Sequence, residues 1–135
     1  MRVVIDTNVL VSGMINPYGP PGRIVEAGLA ETFTVLYDDR VLSEYRAVLH
    51  RPMFGFHAAD IDAVLAFVEA SGEPVRCERL PVVLPDASDL PFLEVAVGGQ
   101  ADALITGNVR DFKPRRGSHE VNVCTPAEFI RLGTC

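Results

Sequence analysis

The stretch Val3-Val4-Ile5-Asp6-Thr7-Asn8-Val9-Leu10-Val11-Ser12 decides how the fold is read. Val3, Val4 and Ile5 are β-branched and apolar without alternation, which fits a strand buried on both faces of a parallel sheet. Asp6 closes that run. The apolar Val9, Leu10, Val11 and Met14 follow, and then a breaker segment from Asn16 to Gly22 containing Pro17, Pro20 and Pro21. Further along, a short helix carries Ile24, Val25 and Leu29 on one side, and Phe33 to Leu36 reads as a strand. Asp38 or Asp39 caps a helix to about His50, ended by Pro52, with Val41, Leu42, Tyr45, Val48 and Leu49 on its buried face. A second helix from about Ala59 to Ala70 aligns Ile61, Val64, Leu65 and Val68, and Pro74 to Cys77 is a candidate short strand.

The second half repeats the alternation. A loop, Leu84 to Asp89, leads into a helix through Phe92, Leu93, Ala96 and Val97 that Gly98-Gly99 stops. Ala103-Leu104-Ile105 is another fully apolar strand, turned out by Thr106-Gly107-Asn108, and Val121-Asn122-Val123 is the last. Thr125-Pro126-Ala127-Glu128 opens the final helix with a capping box and a proline at the first helical position. Short apolar strands alternating with helices predict an α/β sandwich with a mainly parallel sheet. In such sheets ligands bind beyond the carboxyl ends of the strands.

Composition narrows the class. The 135 residues suit one domain, 1–135, able to bury roughly 68% of the surface that its unfolded chain exposes. Hydrophobic residues at 48% and charged residues at 22% exclude disorder, collagen-like repeats and disulfide scaffolds. No apolar run approaches the roughly 20 residues that span a bilayer, and Asp6 comes too soon after Met1 for a secretory signal. A cytoplasmic protein is expected. Cys77, Cys124 and Cys135 are odd in number and widely spaced, so they read as reduced thiols and not as a zinc site. The net charge of −6 argues against a protein that coats nucleic acid by bulk attraction. It does not argue against an enzyme acting on nucleic acid, because metal-holding carboxylates count as negative until the cation binds.

Taken singly, each acidic residue has a plain reading. Asp6, Asp86 and Asp89 read as caps or turn residues, Asp111 as a surface charge, and Glu44, on the flank of the apolar stripe, as a solvated glutamate. Together they read differently. Asp6 and Asp111 follow apolar strands and reach the same sheet edge, and Glu44 and Asp89 come from helix starts near it. Carboxylates so gathered repel unless protonated or neutralised by metal. Oxygen ligands without histidine or thiolate partners suit Mg²⁺ or Mn²⁺, and His50, His57 and His119 have no ligand-like spacing.

Four stretches resemble the motifs of the PIN-domain ribonucleases, in order and over nearly the whole chain. They are Val4 to Ser12; Leu42 to Leu49 with Glu44; Pro85 to Ala96 with Asp89; and Ala101 to Asn108 followed by Asp111-Phe112. Within the family the sequence is most similar to the small bacterial VapC-like toxins of toxin–antitoxin pairs. The resemblance implies a three-layer α/β/α fold, an acidic pocket holding Mg²⁺ or Mn²⁺, and cleavage of single-stranded RNA by metal-activated water. It also implies a homodimer and a cognate antitoxin partner. Asp6, Glu44 and Asp89 match the acidic positions of the first three motifs. In the fourth, many members carry aspartate directly after Thr-Gly, where this chain has Asn108, with Asp111 three residues on. Either Asn108 or Asp111 is then the remaining metal contact.

Thr7, Asn8 and Thr106 are placed to hydrogen-bond the carboxylates or the phosphate. Arg110 to Arg116 holds four basic residues against one acidic, and Arg115 and Arg116 are the candidate phosphate contacts, with Phe112 packed inside. Two other functions fit part of the pattern. The Asn108 replacement suits an RNA- or partner-binding module that barely cleaves. A metal-dependent phosphatase of the haloacid dehalogenase type also begins with an aspartate after a buried strand. It needs a second aspartate where this chain has Asn8, and a lysine partner in a chain whose only lysine is Lys113.

Overall fold

The computed structural model describes residues 1–132. Its elements are β1 (Arg2–Ile5), α1 (Thr7–Ile15), α2 (Pro20–Leu29), β2 (Thr34–Tyr37), α3 (Asp39–Leu49), α4 (Ala58–Ser71), β3 (Glu73–Pro74), α5 (Leu90–Gly98), β4 (Ala103–Ile105), β5 (Val123–Cys124) and α6 (Pro126–Leu132). The strands form one five-stranded sheet in the order β3-β2-β1-β4-β5, parallel at every pairing. The expected three-layer α/β/α sandwich with a central parallel sheet is the architecture observed.

The central strands are buried as their composition demands. Val3, Val4, Ala103, Leu104 and Ile105 are wholly enclosed. β1 pairs with β4 through Val3–Ala103, Val4–Leu104 and Ile5–Ile105, and with β2 on its other edge. The chain therefore winds outward in both directions from β1, and the crevice of this topology lies beyond the carboxyl ends of β1 and β4. α5 packs on β1, β2 and β4, and α3 packs on α5 and β2.

Local signals account for most boundaries. Asp38 caps α3, its side chain accepting from the Val41 N–H at 2.9 Å. The Thr125–Glu128 capping box forms in both directions, at 3.1 and 3.2 Å. The breaker segment is shorter than expected, because Pro20 and Pro21 sit in the first turn of α2, where a missing N–H costs nothing. The strand expected at Pro74 to Cys77 is instead Glu73–Pro74, and the last strand moves from Val121–Val123 to Val123–Cys124. Cys77 is a free thiol as expected, Cys124 is disulfide-bonded against expectation, and Cys135 lies outside the described residues. Among the described residues no helix is long and apolar enough to cross a membrane.

Candidate active site

Asp6 stands at the carboxyl end of β1, where its backbone N–H donates to the Ile105 carbonyl at 2.9 Å and so ties the ends of β1 and β4 together. It occupies the N-cap position of α1, yet its side chain makes no capping hydrogen bond. The plain reading of Asp6 as a helix cap therefore fails. Its carboxylate, 5% exposed, instead accepts from the Thr106 hydroxyl at 2.8 Å. Burial raises the Asp6 pKa, hydrogen bonds from Thr106 and the Thr7 backbone oppose that, and the charges of Glu44 and Asp111 raise it further.

Glu44 reaches the same place from α3. It is half-buried, and its Oε2 accepts from the Thr7 hydroxyl at 2.6 Å. The next residue fixes the helix: the wholly buried Tyr45 donates its hydroxyl to the Ile5 carbonyl, one residue before Asp6. Burial holds that phenol well above its ordinary pKa, and Asp6 and Glu44 add to the effect.

Asp86 and Asp89 separate into two roles. Asp86 caps the short 3-10 turn Ala87–Asp89, accepting from the Ser88 N–H at 2.9 Å and its hydroxyl at 2.7 Å, which lowers its pKa. Asp89 stands at the N-cap of α5 without capping it. Its pKa is pushed up to about 7, first by burial and then by the charges of Asp6, Asp86, Asp111 and Glu44. Asp111, in the 3-10 turn Val109–Phe112, acts on both Asp6 and Asp89. Asp6, Glu44, Asp89 and Asp111 thus form one mutually repelling group at the sheet's switch point. None of the four has an ion-pair partner among the described residues.

The group is not a finished cage. Among the described residues no three histidine, cysteine, aspartate or glutamate side chains are gathered closely enough to hold a metal ion as they stand. The donor chemistry nevertheless fits a hard divalent cation: four carboxylates, raised pKa values at Asp6 and Asp89, and no ion-paired base among the described residues.

The remaining expected residues divide. Asn8 is exposed, and its Oδ1 accepts from the Gly107 N–H at 3.0 Å, which fastens the loop after β4. Thr106 is 0% exposed with its hydroxyl on Asp6, the carboxylate contact of the two alternatives that the sequence offered for it. Asn108 is exposed and its side chain makes no hydrogen bond among the described residues, while its N–H donates to the Thr106 hydroxyl at 3.1 Å. Arg115 and Arg116 are exposed on a loop bridged to Val83, at 2.7 Å from the Arg115 N–H and 2.8 Å to the Arg116 carbonyl. Gly117 at φ 80° turns that loop where a Cβ would meet the Pro81 carbonyl at 2.4 Å. Phe112 is packed inside as expected, 1% exposed.

One pair escaped sequence reading. Glu94 on α5 is 2% exposed, its Oε1 bonded to Arg40 at 2.6 Å and its Oε2 accepting from the Leu80 N–H at 2.9 Å. Arg40, one turn before Glu44 on α3, also binds Asp38 at 2.9 Å. The pair locks α3 against α5, the two helices that carry Glu44 and follow Asp89. The available signal was a charged residue in Phe92 to Ala96, a helical run with no polar face.

A raised Asp89 pKa makes stability depend on pH. Asp89 retains its proton in the folded state up to about 7, whereas its ordinary value is 3.8, so the folded state binds the extra proton between the two. The stabilisation is full below about pH 4 and lost as pH rises through about 7. In EDTA, calorimetry is expected to show a higher melting temperature at pH 5.5 than at pH 8, with Asp89→Asn removing much of the difference. A melting temperature that rises over this interval in the wild-type protein, with Asp89→Asn unchanged from it, contradicts the assignment.

Comparison with known proteins agrees with the geometry. A model of the PIN domain family matches residues 2–110, and the chain belongs to that family. The uncharacterized protein MJ1680 of Methanocaldococcus jannaschii is 28% identical over 141 residues, an alignment that covers 96% of this chain and 90% of that protein.

Proposed function

We propose that the chain is a divalent-metal-dependent endoribonuclease that cleaves phosphodiester bonds of single-stranded RNA. The observation that carries this reading is the unpaired group of Asp6, Glu44, Asp89 and Asp111 at the switch point of a PIN-family sheet. These four residues would hold Mg²⁺ or Mn²⁺, which when bound lowers the pKa of its water and offsets charge building on the phosphate. The Thr106 and Thr7 hydroxyls donate to Asp6 and Glu44, which keeps both carboxylates turned inward. Glu44 serves as a ligand or orients the attacking water. Asn8 anchors Gly107 and so fixes the loop leading to Asp111.

The fourth acidic position goes to Asp111, because it acts on Asp6 and Asp89 while the Asn108 side chain makes no hydrogen bond among the described residues. Asp111→Asn is expected to raise sharply the Mg²⁺ concentration needed for cleavage, and Asn108→Asp to restore part of the loss. A metal titration of both variants checks this; sensitivity at Asn108 with indifference at Asp111 reverses the assignment.

Arg115 and Arg116 are proposed to contact phosphates flanking the scissile bond. On a single strand, each phosphate that no longer meets a cation of the protein flattens the plot of log affinity against log salt by about 0.7. The double alanine variant is expected to lose roughly one to one and a half units of slope. An unchanged slope in fluorescence anisotropy places the RNA elsewhere.

By the resemblance of its four motifs, we extend the reading to the cytoplasmic toxin of a bacterial toxin–antitoxin pair, a homodimer neutralised by a cognate antitoxin. A second reading, an RNA- or partner-binding module that barely cleaves, is favoured by the lack of a ready three-ligand cage among the described residues and by Asn108. One assay separates the readings. End-labelled single-stranded RNA and p-nitrophenyl phosphate are each incubated with the protein in Mg²⁺ and in EDTA. Metal-dependent cleavage of RNA alone supports the ribonuclease; binding without cleavage supports the second reading, and turnover of the monoester a phosphatase.

A further inference from the structure

Along the segment that carries Asp89 runs a groove that the site as described does not use. Leu80, Ala87, Leu90 and Pro91 form its walls, with Arg79 and the Arg40–Glu94 pair at its edge, and it encloses about 390 Å³. Ala87 and Leu90 stand on either side of Ser88-Asp89 in the chain, so one wall of the groove belongs to the segment that carries Asp89. Glu94 holds the segment in place by accepting the Leu80 N–H at 2.9 Å.

The two arginines differ in what they are free to do. The Arg40 guanidinium is committed on all sides, to Glu94 at 2.6 Å, Asp38 at 2.9 Å and the Cys77 sulfur at 3.2 Å. Arg79 is exposed and has no ion pair or side-chain hydrogen bond among the described residues. An unpaired guanidinium above an apolar wall matches one nucleotide of a single strand, which offers a phosphate to the cation and a base or sugar to the wall.

We infer that Arg79 and this groove bind the nucleotide of single-stranded RNA next to the scissile phosphate, with Arg79 on its phosphate and Leu80, Leu90 and Pro91 against its base. The inference rests on the ribonuclease reading and adds a binding position to it. Arg79 acts on substrate affinity and leaves the chemical step unchanged. Arg76 is the internal control. It is exposed in the same segment but does not line this groove, so bulk attraction predicts equal effects at the two positions and a bound nucleotide does not.

The test uses the full chain and a fluorescein-labelled single-stranded 12-nucleotide RNA, with anisotropy in Ca²⁺ and steady-state cleavage in Mg²⁺. Arg79→Ala is expected to weaken binding roughly five- to tenfold at low salt and to flatten the salt slope by about 0.7. It should raise KM with kcat unchanged, while Arg79→Lys keeps the slope and Arg76→Ala behaves as wild type. A wild-type protein that binds and cleaves RNA, with Arg79→Ala indistinguishable from it or from Arg76→Ala, overturns this inference alone. A wild-type protein that neither binds nor cleaves the RNA overturns the ribonuclease reading and the inference together.

Discussion

Asp6→Asn and Asp89→Asn are each expected to abolish metal-dependent cleavage of single-stranded RNA. A neutral amide is a far weaker ligand than a carboxylate for a hard divalent cation. The loss should exceed the roughly 10- to 100-fold that removing an outer-shell partner costs a metal site. The two variants should also melt at a higher temperature than wild type in EDTA, because each removes one charge from a group that burial and mutual repulsion already strain. Activity falling while metal-free stability rises distinguishes a binding site from a structural one. Wild-type cleavage rates in both variants at saturating Mg²⁺ remove these residues from the site.

The second large effect lies at the Arg40–Glu94 pair. Arg40→Met leaves the Glu94 carboxylate 2% exposed with only the Leu80 N–H to answer its charge. Glu94 is buried but Arg40 is 45% exposed, so the cost lies below the about 3 kcal/mol of a wholly buried pair, whose stranded charge keeps its full desolvation penalty. Urea unfolding at pH 7 measures the loss. Removal of both charges together, as Arg40→Met with Glu94→Leu, should recover much of the stability. A single Arg40→Met variant as stable as wild type contradicts the assigned role.

The fold was legible where burial leaves an unbroken signature. Val3-Val4-Ile5 and Ala103-Leu104-Ile105 are enclosed on both faces, so their apolar runs identify the two strands whose ends define the crevice. β3 was misplaced because both its residues are exposed, and an edge strand of two residues carries no alternation. The start of α2 was hidden by prolines that read equally as breakers and as first-turn residues.

At the site, residue type gave the four carboxylates and the strand-end rule gave their meeting place. Sequence offered Thr7 and Thr106 for the carboxylates or the phosphate, without assigning which hydroxyl meets which carboxylate. That Thr106 serves Asp6 and Thr7 serves Glu44 depends on the β1–β4 pairing and on the packing of α3, contacts between residues 100 and 37 positions apart. Local residue type did not separate Asp86 from Asp89, and only the motif resemblance chose Asp89. Both stand at helix starts, and the difference is that Asp86 caps while Asp89 leaves its carboxylate to the group.

The central claim is that Asp6, Glu44, Asp89 and Asp111 together take up a divalent cation. Titration of Mn²⁺ into the purified protein at pH 7.5, followed by the electron paramagnetic resonance of the free ion, measures this directly. Saturable uptake in wild type, lost in Asp6→Asn and in Asp89→Asn while both variants remain folded, is the predicted result. Equal uptake by all three proteins, or none by wild type, contradicts it.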